Sequence, residues 1–159
     1  MLIKETMKDF LKNGSFQNIS FGITRKDFLQ LMGGVQCEHY SFPESKFSGI
    51  YKYGMVEFYF DDKSEDDELL FIMFQPWVGR CKRYNFRINY NGWDKNLSIE
   101  NAKNLLKQYS IEFVEEQSKY DEKVMHLITE SGVNICFWFD VEKNGYYYCE
   151  IVKNPEKIL

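Results

Sequence analysis

The sequence contains no long apolar run. Its longest, Leu69 to Phe74, is far shorter than the roughly 20 residues that span a bilayer. The first ten residues carry charges at Lys4, Glu5, Lys8 and Asp9, so they lack the apolar centre of a signal peptide. We therefore expect a protein that stays in the cytoplasm and has no membrane partner.

The motifs of common catalytic and cofactor sites are also missing. There is no glycine-rich nucleotide loop, no GxSxG and no HExxH. The four cysteines form no CxxC pair and have no metal-ligand spacing to a histidine. We therefore predict that the protein is not an enzyme and holds no cofactor and no metal. Cys136 and Cys149 are expected on neighbouring strands, which makes them the pair to test for a disulfide.

The chain has no excess of positive charge. Its formal net charge is −4 and its pI is near 5.3, whereas a protein that binds phosphates needs a basic surface. A nucleic-acid partner is therefore not expected. Hydrophobic residues make up 44% of the chain and aromatics 18%, which indicates a folded chain rich in strands. With 159 residues, the expected organisation is a single domain over residues 1–159.

Helices and strands follow from the spacing of the apolar residues. Helices are predicted over Ile3 to Lys12, from the capping residue Thr24 to Gly33, and over Ile99 to Tyr109 after the cap Ser98. Strands are predicted over Gly49 to Asp61 (with Gly54 as a bulge), Leu69 to Gln75, Arg83 to Asn89, Glu112 to Gln117, Val124 to Thr129, Val133 to Asp140, and Tyr146 to Val152. Asn144-Gly145 predicts a hairpin between the last two strands.

The order of these elements suggests an internal repeat of residues 15–94 and 95–159. Ile23-Thr24 at the start of one helix matches Leu97-Ser98 at the start of another. The strands that follow also match in order. The predicted fold is therefore α+β: two related halves, each a helix plus an antiparallel sheet, joined into one continuous sheet with the helices on one face. A chance recurrence of common patterns is the alternative.

Two segments resemble known modules. Gly22 to Gly33 resembles the helix that opens small modules of the outer-membrane assembly lipoprotein and beta-lactamase inhibitor protein types, although Gly34-Val35 stands where those modules often have a proline. Tyr53 to Phe60 is similar to a YG-x-hEhxF strand of uncharacterised bacterial proteins, some of them presumed immunity proteins encoded beside toxin genes. The resemblance covers residues 15 to 75. It implies a tandem helix-plus-sheet fold and a toxin-neutralising role, and it brings no active-site residues.

Alternation along the strands predicts which side chains are available to a partner. If Val56, Phe58 and Phe60 face the core, Glu57 and Tyr59 face away from it. Trp138 faces away in the same manner, and Trp77 is expected nearby. Large rings on an uncovered sheet face would provide a binding centre. The alternative is that the first helix or the loop after residue 33 covers this face.

The loop from Asp61 to Glu68 is densely acidic. It lacks the spacing and the glycine of a calcium loop, so we interpret it either as a solvated hairpin tip or as a surface for a basic partner, such as a toxin domain that acts on nucleic acid. The residues predicted to bind a partner are Glu57, Tyr59, Asp62, Glu65, Asp66, Asp67, Trp77 and Trp138.

Two other interpretations remain open. His39 or His126 could act beside a carboxylate in an enzyme whose site is assembled from scattered residues, and a deep pocket would favour this. Arg80 to Tyr90 combines cations with rings and could bind nucleic acid or a small ligand, but its alternation places the cations and the rings on opposite faces. The favoured function is a non-enzymatic, protein-binding bacterial immunity protein or inhibitor that acts by surface complementarity.

Overall fold

The computed structural model describes residues 2–33, 38–40, 49–60, 65–76 and 85–154. Its helices are α1 (Met7–Asn13), α2 (Arg25–Leu31) and α3 (Ile99–Gln108). Its strands are β1 (Ile3–Thr6), β2 (Glu38–Tyr40), β3 (Gly49–Tyr53), β4 (Val56–Phe60), β5 (Leu69–Phe74), β6 (Phe86–Asn89), β7 (Phe113–Gln117), β8 (Val124–Thr129), β9 (Asn134–Asp140) and β10 (Gly145–Lys153). The α+β class predicted from the sequence is confirmed. No helix in these parts of the chain has the length and apolarity needed to cross a membrane.

The first predicted helix starts later than its apolar spacing suggested. The Oγ1 atom of Thr6 accepts a hydrogen bond from the backbone N–H of Asp9 at 3.0 Å, which caps α1 at its first turn. Residues Ile3–Thr6 instead form β1, which pairs in parallel with β6 in a separate two-stranded sheet. The helix ends at Gly14, whose φ of 71° suits a residue without a side chain.

The other two helices begin where the sequence predicts. Thr24 Oγ1 accepts from the Asp27 N–H at 3.1 Å, and Ser98 Oγ accepts from the Asn101 N–H. Each cap satisfies a donor that would otherwise lack an intrahelical partner.

The main sheet has eight antiparallel strands in the order β2-β3-β4-β5-β10-β9-β8-β7. The strand predicted over Gly49 to Asp61 is in fact two strands, β3 and β4, which form a hairpin. Gly54 lies in the turn with a φ of 67°, so it is a turn residue and not the predicted bulge. In the middle of the sheet β5 pairs with β10, with Phe74 opposite Ile151 and Ile72 opposite Lys153.

One face of the main sheet packs against the helices. The ring of Phe10 in α1 lies 5.0 Å from that of Phe74, and the ring of Phe28 in α2 lies 4.9 Å from that of Phe58. Leu106 of α3 is buried in the same apolar core. Burial of this apolar surface is the main favourable contribution to folding. The core also contains Ile135 of β9 and Ile151 of β10, so strands from both halves of the sheet contribute to it.

Candidate functional site

The opposite face of the main sheet carries the residues that could contact a partner. We call it the helix-distal face and define it by the side chains that alternate with the core residues on β3, β4, β5 and β7 to β10. These are Ile50, Lys52, Glu57, Tyr59, Phe71, Met73, Val114, Glu116, Val124, His126, Ile128, Asn134, Cys136, Trp138, Tyr147, Glu150 and Val152. Among the described residues, no helix side chain belongs to the apolar cluster of Ile50, Tyr59 and Phe71 on this face.

Trp138 is the most exposed aromatic residue of the helix-distal face, at 53%. In the sheet it lies between Val124 on β8 and Tyr147 on β10, which are its partners in register. The Lys143 ammonium lies 4.5 Å from the centre of the Tyr147 ring. A half-exposed indole flanked by an aliphatic and an aromatic side chain resembles the centres of many protein interfaces.

Glu57 and Tyr59 lie on the predicted face but are buried, with exposures of 1% and 8%. The Tyr59 hydroxyl donates a short hydrogen bond to Glu57 Oε2. The Lys52 ammonium forms an ion pair with Glu57 Oε1 at 2.8 Å. A buried carboxylate needs such partners because desolvation is costly. Burial and then the hydrogen bond to Glu57 raise the pKa of Tyr59, so its hydroxyl remains a donor.

Glu150 is a second acidic residue of the helix-distal face and lies close enough to Glu57 to interact with it electrostatically. Burial raises the pKa of the Glu150 carboxyl, His126 opposes this effect and Glu57 adds to it. Among the described residues, the Glu150 carboxylate has no hydrogen-bond or ion-pair partner. His126 Nδ1 lies 3.0 Å from Asn134 Oδ1, which holds the imidazole ring against the sheet.

The acidic loop is described only in part. Glu65 and Asp66 are exposed and Asp67 is half-buried. Their main chain has a structural role, because the carbonyls of Asp67 and Glu65 accept hydrogen bonds from the N–H groups of Arg25 and Lys26 at the start of α2. The predicted residues Asp62 and Trp77 lie outside the described residues. No cluster of three or more metal-ligating side chains occurs in the described ranges.

A deep pocket that holds a histidine would favour the enzyme interpretation. A pocket of about 340 Å³ is lined by Arg25, Lys26, Leu29, Tyr51 and Glu65, and it does not include His126.

The basic strand predicted over Arg83 to Asn89 appears as β6. Its Phe86 is buried in the core and Arg87 is exposed, as the alternation predicts. Phe86 therefore cannot stack on a base. Arg80, Lys82, Arg83 and the side chain of His39 lie outside the described part of the chain.

Cys136 and Cys149 lie on neighbouring strands, as expected, and both are free thiols. The Cys149 thiol donates a hydrogen bond to the Cys136 carbonyl at 3.2 Å. Hydrogen bonding to Cys136 and then burial raise the pKa of the Cys149 thiol. It therefore stays protonated and is a poor nucleophile.

Sequence reasoning missed the roles of Lys52, Glu150 and Asn134. Strict alternation would have placed Lys52 beside Glu57 once the turn at Gly54 was recognised. Glu150 was harder to assign, because a bulge at Cys149 interrupts the alternation of β10.

Comparison of the chain with family models, with curated proteins and with solved structures finds no match in any of the three. The arrangement of the residues is therefore the basis for a functional proposal.

Proposed function

We propose that this chain is a non-enzymatic protein-binding protein that neutralises its partner by covering a surface of it, as a bacterial immunity protein or inhibitor does. The observation that carries the proposal is Trp138, which is half-exposed on the helix-distal face between Val124 and Tyr147. Desolvating such a ring on binding contributes more than most interface contacts.

The burial of Glu57 and Tyr59 changes their proposed role. Both were predicted to touch the partner, but their mutual hydrogen bond and the Lys52 ion pair suit residues that stiffen the sheet. A rigid face loses less conformational entropy on binding, which favours affinity. We therefore assign direct contact to Trp138 and a supporting role to Glu57 and Tyr59.

The acidic balance of the protein supports a basic partner. Glu116 is exposed on the helix-distal face, whereas Glu65 and Asp66 are exposed beside α2, which packs on the other face of the sheet. Because electrostatic attraction acts over a long range, acidic side chains speed the encounter with a basic partner even outside the contact surface. A basic toxin domain that acts on nucleic acid has this chemistry.

A duplicated fold is part of the proposal, and matching main-chain contacts support it. The Leu69 N–H donates to the Ile23 carbonyl next to one helix cap, and the Tyr148 N–H donates to the Leu97 carbonyl next to the other. β5 of the first half and β10 of the second each have an extra residue at the same place, Leu70 and Cys149. Bulges are specific features of a strand, so their recurrence favours two related halves in one sheet.

The proposal is tested by site-specific photo-crosslinking in cells of the source organism. The photo-reactive residue p-benzoylphenylalanine replaces Trp138 in one variant and Leu2 in the control, since Leu2 is 49% exposed and precedes β1, which is in the separate two-stranded sheet. We expect one protein to crosslink at position 138 and not at position 2. Equal crosslinking at both positions, or none at 138, would contradict the proposal.

The purified partner then gives a quantitative test. Trp138→Ala is expected to weaken binding by about 30-fold or more, which corresponds to about 2 kcal/mol, while Leu2→Ala leaves it unchanged. Stoichiometric wild-type protein should also abolish the activity of the partner. A partner that binds but keeps full activity would support binding and refute neutralisation.

An enzyme remains a second candidate because His126 and Glu150 interact electrostatically on one face. Such a pair could serve as a general acid and base. A metabolite that raises the melting temperature of the wild type but not of His126→Asn would favour this candidate.

A further inference from the structure

Strand β7 forms one edge of the main sheet. Within it Val114, Glu115, Glu116 and Gln117 are exposed, and Val114 is 56% exposed, which is unusual for an aliphatic side chain in a strand. An exposed edge with main-chain groups available for pairing is a template for another strand.

The hydrogen-bond pattern shows which main-chain groups of β7 are available. The Glu130 N–H donates to the Glu112 carbonyl, and the Ser118 N–H donates to the Val124 carbonyl. In an antiparallel pair the residues bonded to the neighbour alternate, so Glu112, Val114, Glu116 and Ser118 point their main-chain groups at β8. Phe113, Glu115 and Gln117 therefore point theirs away from the sheet.

Side chains define what kind of strand fits this edge. On the helix-distal face Glu112 and Glu116 flank Val114. On the other face Glu115 already forms an ion pair with Lys103 of α3, at 2.5 Å. Glu112 and Glu116 form no ion pair with any residue that the structure describes. A complementary strand would place a basic side chain opposite each of them and an apolar one opposite Val114.

A second copy of this chain fits the edge poorly. Antiparallel pairing of β7 with itself has three registers in which at least two of the outward residues 113, 115 and 117 of each copy are bonded. These registers place Glu112 opposite Glu116, Glu115 opposite Glu115, or Glu116 opposite Glu116. Like charges directly opposite each other destabilise a strand pair, so each register is disfavoured.

We propose that β7 is a docking edge for an extended segment of the partner with the pattern basic-x-apolar-x-basic, which adds to the main sheet as a ninth strand. Main-chain hydrogen bonds to Phe113, Glu115 and Gln117 hold it, and Glu112 and Glu116 select its charge. The inference rests on the proposed function in that the segment belongs to the protein partner. Trp138 lies two strands from β7, on β9, so one partner can reach both.

The probe is the capped peptide acetyl-Thr-Lys-Thr-Val-Thr-Lys-Thr-amide, titrated into the ¹⁵N-labelled full chain. The same peptide with Glu in place of both Lys residues tests charge, and a version N-methylated at alternate residues tests main-chain bonding. We expect the basic peptide to bind about 10-fold or more tightly than either control. Amide hydrogen exchange should slow at Phe113, Glu115 and Gln117, while Val114 and Glu116 are protected with or without peptide.

Variants of β7 separate main-chain pairing from charge. Glu115→Pro removes an outward N–H without breaking a bond to β8, which is where an edge strand tolerates proline. Its matched control is Glu115→Gln, which loses the Lys103 ion pair but keeps the N–H. We expect proline to weaken peptide binding at least about 10-fold and glutamine by about 3-fold or less. The double variant Glu112→Lys/Glu116→Lys should prefer the acidic peptide.

Equal binding of the basic peptide to wild type and Glu115→Pro would overturn the inference, as would a lack of preference between basic and acidic peptides. The partner crosslinked at position 138 distinguishes this failure from that of the proposed function. If that partner binds Glu115→Pro as tightly as wild type, the docking edge is wrong and the Trp138 surface stands. If the peptide binds β7 but no partner crosslinks at position 138, the docking edge stands and the Trp138 surface is wrong.

Discussion

Met73 and Val152 lie directly opposite each other, on β5 and β10, at the centre of the main sheet. The pairs on either side of them, Phe74 with Ile151 and Ile72 with Lys153, complete the pairing of β5 with β10. Ile151 is fully buried in the core that the helices cover. The pairing of β5 with β10 therefore links the strands β2 to β5 to the strands β7 to β9 in one sheet.

We expect Ile151→Ala to lower the free energy of unfolding by about 2–5 kcal/mol, because it leaves a cavity in the shared core. Val141→Ala is the control, since Val141 is 73% exposed, and it should change stability by less than about 0.5 kcal/mol. Urea denaturation followed by circular dichroism and by tryptophan fluorescence measures both. The two signals should coincide in every variant, and separate transitions would show that the two ends of the sheet unfold independently.

Tyr59→Phe removes the hydroxyl that donates to the buried Glu57 carboxylate. A hydrogen bond to a charged group contributes about 1.5–3 kcal/mol, so we expect a loss of this size in the free energy of unfolding. Tyr120→Phe removes an exposed hydroxyl and should have no measurable effect. Equal stability of the two variants in urea would contradict the role assigned to Tyr59.

Lys52 and Lys103 both form ion pairs, but their partners differ in burial. The side chain of Glu57 is 2% exposed, whereas Glu100 and Glu115 are 75% and 39% exposed. Lys52→Met should cost about 3 kcal/mol because it leaves a buried charge uncompensated, while Lys103→Met should cost less than about 1 kcal/mol. The double variant Lys52→Met/Glu57→Gln should recover part of the loss. If it is no more stable than Lys52→Met, the ion pair is not the cause.

Glu150 should make stability depend on pH. Because the folded state raises the pKa of this carboxyl above the ordinary value of 4.5, the unfolded chain releases its proton at a lower pH than the folded chain does. Between the two pKa values the folded state binds more protons, so stability falls as pH rises. Glu150→Gln removes this loss. We expect its stability relative to wild type to increase from pH 4 to pH 7 in urea titrations, and a constant difference would contradict the prediction.

The elements predicted correctly are those with local signals. Thr24 and Ser98 cap their helices through residues three positions later, and β8 runs from Val124 to Thr129 as its pattern indicates. β1 was missed because its apolar spacing also fits a helix, and its strand partner, β6, is far away in the sequence. The turn at Gly54 was interpreted as a bulge because a glycine with positive φ suits both.

The sequence predicts which way the side chains of the candidate site point, but not how exposed they are. Alternation correctly predicted that the side chains of Glu57, Tyr59 and Trp138 point away from the helices, since alternation depends only on strand geometry. Exposure depends on neighbours from distant parts of the chain, and it separates Trp138 from the two buried residues. Glu150 could not be assigned because the extra residue at Cys149 shifts the register of β10.

The order of strands in the main sheet has a consequence during protein synthesis. β5 is complete long before β10 emerges from the ribosome, and until then its apolar sequence, Leu69 to Phe74, lacks the neighbour that pairs with it in the finished sheet. Unpaired apolar edges are prone to aggregate or to pair with the wrong chain. A chain whose β5 is still unpaired can accept the β10 of another copy at this edge, and a mutual exchange of this kind gives a domain-swapped dimer.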